Sequence, residues 1–229
     1  MEDLRRPIAA EFIGTFALVF VTGATILNGA VAGVDVPLLD LGVAYGITMA
    51  LLVSATMRFS GHLNPAVTIG LAVTRRLRAG TAVVYIVAQL MGAVVAALVL
   101  NGVFPASAAQ GARLGGQWLA PSVSISSAIL VEALATFLLV FAYFGTIVDT
   151  RGPRMGGFGV GLAVLVGVLA IGPLTGASMN PARSFGPALI SGYFSGHFVY
   201  WIGPLLGGIL AALVYDGIFL RPSPAANSR

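Results

Sequence analysis

The sequence predicts an all-α membrane protein: six transmembrane helices and two re-entrant half-helices, arranged as two inverted three-helix repeats. Three observations carry that prediction. Of 229 residues, 58% are hydrophobic and 9% charged, whereas soluble domains run nearer ~25% charged. The second half of the chain repeats the first. A short Asn-Pro-Ala motif occurs twice, at equivalent places in the two copies.

Spans are read from apolar stretches long enough to cross a hydrocarbon core of ~30 Å, which takes roughly 20 helical residues. They are Ile8–Leu27, Leu38–Met57, Thr81–Leu100, Ser124–Val148, Gly156–Gly172 and Phe198–Leu220. The first follows Arg5 and Arg6 as a cleaved leader would, but it recurs later in the chain, which favours a retained span. Two further regions, Phe59–Gly80 and Pro173–His197, are too apolar for plain loops and too broken to cross and return as full helices. Each reads as a re-entrant half-helix, with a pair of interfacial helices as the competing reading.

The twelve basic residues are all arginine. In a chain this apolar they form no basic face, which argues against nucleic-acid binding. Nine of them lie at the N-terminus (Arg5, Arg6), in the second connection (Arg75, Arg76, Arg78), in the fourth (Arg151, Arg154) and in the tail (Arg221, Arg229). The first, third and fifth connections hold only Arg113 and Arg183, and Arg58 sits at a membrane edge. Cytoplasmic loops carry the excess of basic charge, so both termini are expected on the cytoplasmic side of the cell (inner) membrane. The absence of cysteine excludes disulfides, thiolate metal sites and cysteine nucleophiles.

Self-alignment supplies the architecture. Ala10–Phe20 matches Val131–Phe141 at six of eleven positions, Glu11 facing Glu132, and Val83–Phe104 matches Phe198–Phe219 at ten of twenty-two. Between them His62–Val67 faces Ser178–Arg183. Three blocks in one order are not a chance likeness of apolar helices. The chain is thus one transmembrane domain over 1–229, with repeat one at about 8–104 and repeat two at about 124–220. Each repeat holds three spans, so the second copy enters from the opposite face. That plan puts the functional site at the midplane, between the repeats.

Asparagine is a strong helix N-cap, and proline suits the first helical position, where its missing N–H has no partner to lose. Asn64-Pro65-Ala66 and Asn180-Pro181-Ala182 therefore start helices, expected over Pro65–Thr74 and Pro181–Ile190. Ten residues at 1.5 Å each make roughly 15 Å, half the hydrocarbon thickness. Two such stubs entering from opposite faces bring their N-termini together, each with about half a positive charge. Non-helical backbone at that depth is tolerated where it is buried or lines a watery cavity.

These residues carry a resemblance. GHLNPAVTIG and TGASMNPARSFGPAL are similar to the two signature loops of the aquaporins, the major intrinsic protein family, and the resemblance covers essentially the whole chain. It implies a passive channel and no enzyme: a homotetramer in the lipid bilayer, each subunit with its own pore for water and small neutral solutes, and no metal or cofactor. Arg183 matches the arginine of the family's outer constriction, with Tyr45, Val168 and Ala177 as its other members. Strict water channels commonly have a histidine where Val168 stands, so a wider, more apolar filter is expected, one admitting glycerol, urea or neutral metalloid hydroxides. Ser184, Ala188, Tyr200 and Trp201 match the water-type pattern instead. Ser60-Gly61-His62 is one residue shorter than the family's usual entry to the first loop.

The resemblance makes Glu11 and Glu132 acceptors for backbone N–H groups of the re-entrant loops; the rival reading is a proton-coupling pair. Gln89 is expected to hydrogen-bond near them, and His62 either lines the inner pore or has a structural role. A secondary transporter also uses inverted repeats, but only the two glutamates offer coupling ligands. Short loops and tails point to a prokaryotic source.

Overall fold

The computed structural model describes residues 4–220; Arg221 and Arg229, counted above with the cytoplasmic set, lie outside them. The chain runs through α1 (Arg5–Ala32), α2 (Leu38–Thr56), the half-helix α3 (Pro65–Val73), α4 (Ala79–Val103), a short α5 (Ala106–Gly111), α6 (Ile125–Tyr143), α7 (Gly157–Thr175), the half-helix α8 (Pro181–Ser191) and α9 (Val199–Tyr215). Wider π-turns, Phe144–Val148 and Asp216–Leu220, extend α6 and α9. Among the described residues, six helices are long and apolar enough to cross a bilayer: α1, α2, α4, α6, α7 and α9.

The predicted elements are present, with shifted ends. α1 is 28 residues long and begins three residues before the predicted span, because an amphipathic margin such as Arg5-Arg6 continues a helix past the hydrocarbon edge. It stops where Gly33, at φ 68°, adopts the left-handed conformation that closes helices. α7 runs on through Pro173 to Thr175, three residues beyond its predicted end. The third connection is more ordered than a plain loop. After α5, Leu114 packs with Leu27 and Leu100, and Gly115 (φ 72°) lies so close to α1 that a Cβ there would sit 2.5 Å from Gly23 Cα.

Lipid supplies no hydrophobic drive between helices, so close backbone approach through small residues holds the bundle. α1 crosses α4 at Gly92, where a Cβ would lie 2.3 Å from the Phe12 carbonyl oxygen. α6 crosses α9 at Gly207, where it would lie 2.0 Å from that of Ala133. These are the same contact in the two repeats. α2 and α7 cross at Gly46 and Gly161, and a Cβ on Gly161 would fall 2.3 Å from the Gly46 oxygen. The half-helices are exchanged: α3 packs on α9 across Gly208, and α8 packs on α4 through Gly186. Leu51, Leu130 and Leu206 stand exposed on the outside, where a bilayer's acyl chains would meet them.

Candidate channel site

Both re-entrant loops reach their asparagines by the same backbone path. Gly61 and Leu63 have positive φ in the first loop (70° and 52°), Ala177 and Met179 in the second (48° and 52°). Each pair is two residues apart and occupies equivalent repeat positions. Three of the four carry side chains in a conformation costing of order 1 kcal/mol or more each, so something must hold them. Glu11 accepts from His62 N (2.8 Å), Leu63 N (2.7 Å) and Gln89 Nε2 (2.6 Å). Glu132 accepts from Ser178 N (2.9 Å), Met179 N (2.8 Å) and Thr175 Oγ1 (2.7 Å). Both glutamates are fully buried. Gln89 also donates to Thr68 Oγ1 at 2.9 Å, and the His62 ring pairs with the same hydroxyl at 3.1 Å.

The loops end in helix caps. Asn64 Oδ1 accepts from Ala66 N at 2.8 Å, and Asn180 Oδ1 accepts from Ala182 N at 3.1 Å and Arg183 N at 3.3 Å, with Pro65 and Pro181 in the first helical position. Each side-chain amide then crosses to the other repeat. Asn64 Nδ2 donates to Met179 O and Asn180 Nδ2 to Leu63 O, both at 2.8 Å. An amide has two N–H donors. One of each is taken by this reciprocal lock, and the second remains for whatever lies between the helix ends.

A chamber of about 20 Å³ adjoins that junction, lined by Asn64 and Asn180 together with Leu18, Met49, Leu139 and Val164. That is room for about one water. At the end where α1 gives way to α2 lies a vestibule of about 480 Å³, reached by Val168, Gly172 and Gln117. Tyr45 and Arg183 line both spaces, so they stand at the neck between them. Ala177 borders the neck from the chamber side and Val168 from the vestibule side. Arg183 hydrogen-bonds to the Tyr45 hydroxyl, and its guanidinium carbon lies 4.7 Å from that ring's centroid. Only 4% of Arg183 is exposed, and its Nε and Nη1 have no partner within the described residues.

The structure therefore brings together Tyr45, Val168, Ala177 and Arg183 at one level, and the two Asn-Pro-Ala segments at another. His62, Gln89, Glu11 and Glu132 sit behind the loops. Some lining groups were not singled out in the sequence. Met49 and Val164 lie one helical turn from Tyr45 and Val168, and that spacing is the signal that finds them. Gln117, in the third connection, is buried against the vestibule with neither amide atom partnered within the described residues. Nothing in its sequence context marks it. No group of three or more His, Cys, Asp or Glu that could hold a metal occurs among the described residues.

Six spans in two interlocked inverted repeats, enclosing a small chamber that meets a wider vestibule at a cationic neck, define a polytopic membrane channel. The family model of the major intrinsic proteins matches residues 2–215. The chain belongs to that family, the aquaporin channels, and is not an enzyme. Aquaporin TIP4-4 of Zea mays is 46% identical over 224 residues, covering 94% of this chain and 87% of that protein. The lens fiber major intrinsic protein of Lithobates pipiens is 41% identical over 216 residues, with 93% and 81% covered. Among solved structures, the aquaglyceroporin from Plasmodium falciparum superposes with a TM-score of 0.77 at 25% identity, covering 93% of this chain and 96% of that one. These relatives are eukaryotic, so the prokaryotic source expected from short loops finds no support.

Proposed function

We propose that the chain conducts water passively, with small neutral solutes as further permeants, and excludes protons and ions. The observation that carries this reading is the reciprocal asparagine pair at two facing helix N-termini, beside a chamber with room for about one water. The free N–H of Asn64 and that of Asn180 donate to a single water oxygen there. That water's oxygen is then unavailable to accept from its neighbours, and the chain of hydrogen bonds along the file is interrupted. The two positive helix ends and Arg183 add a barrier to cations. Pro65, Ala66, Pro181 and Ala182 set the direction of the helix ends.

Tyr45, Val168, Ala177 and Arg183 form the proposed selectivity filter. Arg183 and the Tyr45 hydroxyl replace part of a solute's hydration, while Val168 and Ala177 leave an apolar wall. That wall, together with the likeness to an aquaglyceroporin, supports glycerol, urea or neutral metalloid hydroxides as a wider substrate range. Glu11 and Glu132, with Gln89 and His62 beside Glu11, hold the loops; every oxygen of the two carboxylates accepts at least one hydrogen bond from them or their supports. The channel domain spans 1–229, as two repeats. A homotetramer in the cell (inner) membrane completes the proposal, with cytoplasmic termini, an orientation supported by the arginine-rich connections on one side.

Stopped-flow light scattering on proteoliposomes tests it, comparing water, glycerol and urea, with a trapped pH dye reporting protons. Fast water flux that ignores ion gradients, without proton current, is expected. Flux that requires a gradient would replace the channel by a transporter.

A further inference from the structure

Three arginines follow the first half-helix in close succession. Arg75, Arg76 and Arg78 all stand exposed, and together they line a cavity of about 620 Å³. Arg76 gives two of its donors to Asp216, at 2.7 and 3.2 Å. Arg75 and Arg78 make no side-chain hydrogen bond or ion pair within the described residues, and no carboxylate among those residues lines the cavity. A fourth guanidinium, that of Arg58, lies 4.8 Å from the ring centroid of Phe59, which also lines it. Arg75 closes α3 at φ 60°, a left-handed position that glycine fills without strain. Here it carries a guanidinium instead.

The cavity opens between α1 and α4, by way of Pro7 on the first and Thr81 and Tyr85 on the second. Alongside it an apolar groove of about 920 Å³ runs between the same two helices, lined by Ile8, Phe12 and Ile13 of α1 and Val83, Val87 and Met91 of α4. Pro7 belongs to the cavity and its neighbour Ile8 to the groove; Tyr85 and Val84 divide in the same way, so the two spaces meet. Arg5 lines the groove at that end. From Arg5 to Ile13, and from Val83 to Met91, the groove runs about 12 Å along each helix. The hydrocarbon of one leaflet is about 15 Å deep, half the core. Any lipid-facing surface is apolar, so apolarity alone selects no occupant. The arginine cluster at its head does, because guanidinium matches phosphate geometry and basic pockets between spans take anionic head groups.

We propose that this composite site binds one anionic phospholipid of the adjoining leaflet. Arg75, Arg78 and the remaining donors of Arg76 hold its phosphate, and an acyl chain lies in the groove between α1 and α4. In the orientation proposed above that leaflet is the cytoplasmic one, whose surface is negative. Arg75 to Arg78 join α3 to α4, so the bound lipid ties the base of the first half-helix to the bilayer. The inference needs the membrane architecture and not any particular permeant.

Native mass spectrometry of the full chain in neutral detergent tests it, with phosphatidylglycerol or phosphatidylcholine of equal chain length added. One phosphatidylglycerol per chain is expected, bound more tightly than phosphatidylcholine. An arginine near an anionic lipid surface contributes about fivefold in affinity, so Arg75→Gln with Arg78→Gln should weaken phosphatidylglycerol about 25-fold and leave phosphatidylcholine unchanged. The charge-matched pair Arg151→Gln with Arg154→Gln, at the same end but outside the cavity, should bind as wild type does. Val87→Trp fills the groove and should weaken the lipid with every arginine in place. Should the first double variant lose its monodisperse profile, Arg78→Gln alone decides, by a fivefold loss. Equal binding of the two lipids, or an equal loss in both double variants, overturns the inference. So does wild-type binding in Val87→Trp, because the groove then holds no chain. Inorganic phosphate that displaces the lipid at equal concentration overturns it too, because the arginines then serve a free anion.

Discussion

Replacing Glu132 by glutamine changes one heavy atom and tests how the second loop is held. The carboxylate accepts three bonds: Oε1 takes Thr175 Oγ1 and Ser178 N, and Oε2 takes Met179 N at 2.8 Å. In Glu132→Gln the amide oxygen can keep the first two, and the NH2 group then faces the Met179 N–H, donor against donor. A charge-assisted bond worth about 1.5–3 kcal/mol is lost, and a buried donor is stranded at a further 1–3 kcal/mol. The sum is about 2.5–6 kcal/mol, before counting the left-handed Met179 that the bond restrained. For a chain of this size, at about 2–4 °C per kcal/mol, that is a fall of at least about 5 °C in unfolding midpoint. The assay is thermal unfolding in detergent, followed by intrinsic fluorescence and by the surviving monodisperse fraction, with water flux measured below the midpoint. Glu11→Gln should behave alike, since Glu11 also holds three donors. A shift under about 2 °C in both variants would refute the idea that these carboxylates hold the loops.

Other outcomes follow from the same geometry. Val168→His narrows the neck, so any glycerol flux should fall more than water flux; an equal fall would remove Val168 from the filter. Gly207→Val drives a side chain into the Ala133 carbonyl, which a Cβ alone would approach to 2.0 Å, and should abolish the monodisperse channel, whereas Gly217→Ala, with nothing within 4 Å, should be silent in the same chromatography. His197 accepts from Trp201 Nε1 at 3.2 Å, and burial holds its pKa below the usual 6.5. Because the folded value is the lower one, the neutral ring's contribution is complete above about 6.5 and is lost as pH falls below it. Tryptophan emission should therefore stay flat from pH 8 to roughly 6.5 and change only below that, a change that His197→Phe removes.

Much of this architecture was legible because the strongest signals are local or repeated. Asn-Pro announces a helix start wherever it falls, and Asn64 and Asn180 cap α3 and α8 in the predicted places. The glutamates were findable by self-alignment alone. What stayed hidden depends on contacts between distant segments. Nothing marks Leu63, Ala177 and Met179 as left-handed, since none is glycine; the carboxylates behind them make that conformation tolerable. Gln117 and Leu114 read as ordinary loop residues until the third connection folds back on α1. Tyr143 is one more aromatic in an apolar span, and the hydrogen bond from its hydroxyl to Ser60 O exists only once both repeats are in place.

The crossed amides have an assembly consequence. Each half of the molecule supplies the acceptor that satisfies the other's asparagine, and each stub beds against the opposite half's last span. Neither portion is complete in isolation, yet each is the template for its counterpart. Two polypeptides separated in the connection between α6 and α7 would cut across the second repeat and leave it without its own closure, whereas a nick between α5 and α6 leaves two intact triplets. Co-produced from that second break, the fragments should find one another in the bilayer and rebuild a working conduit.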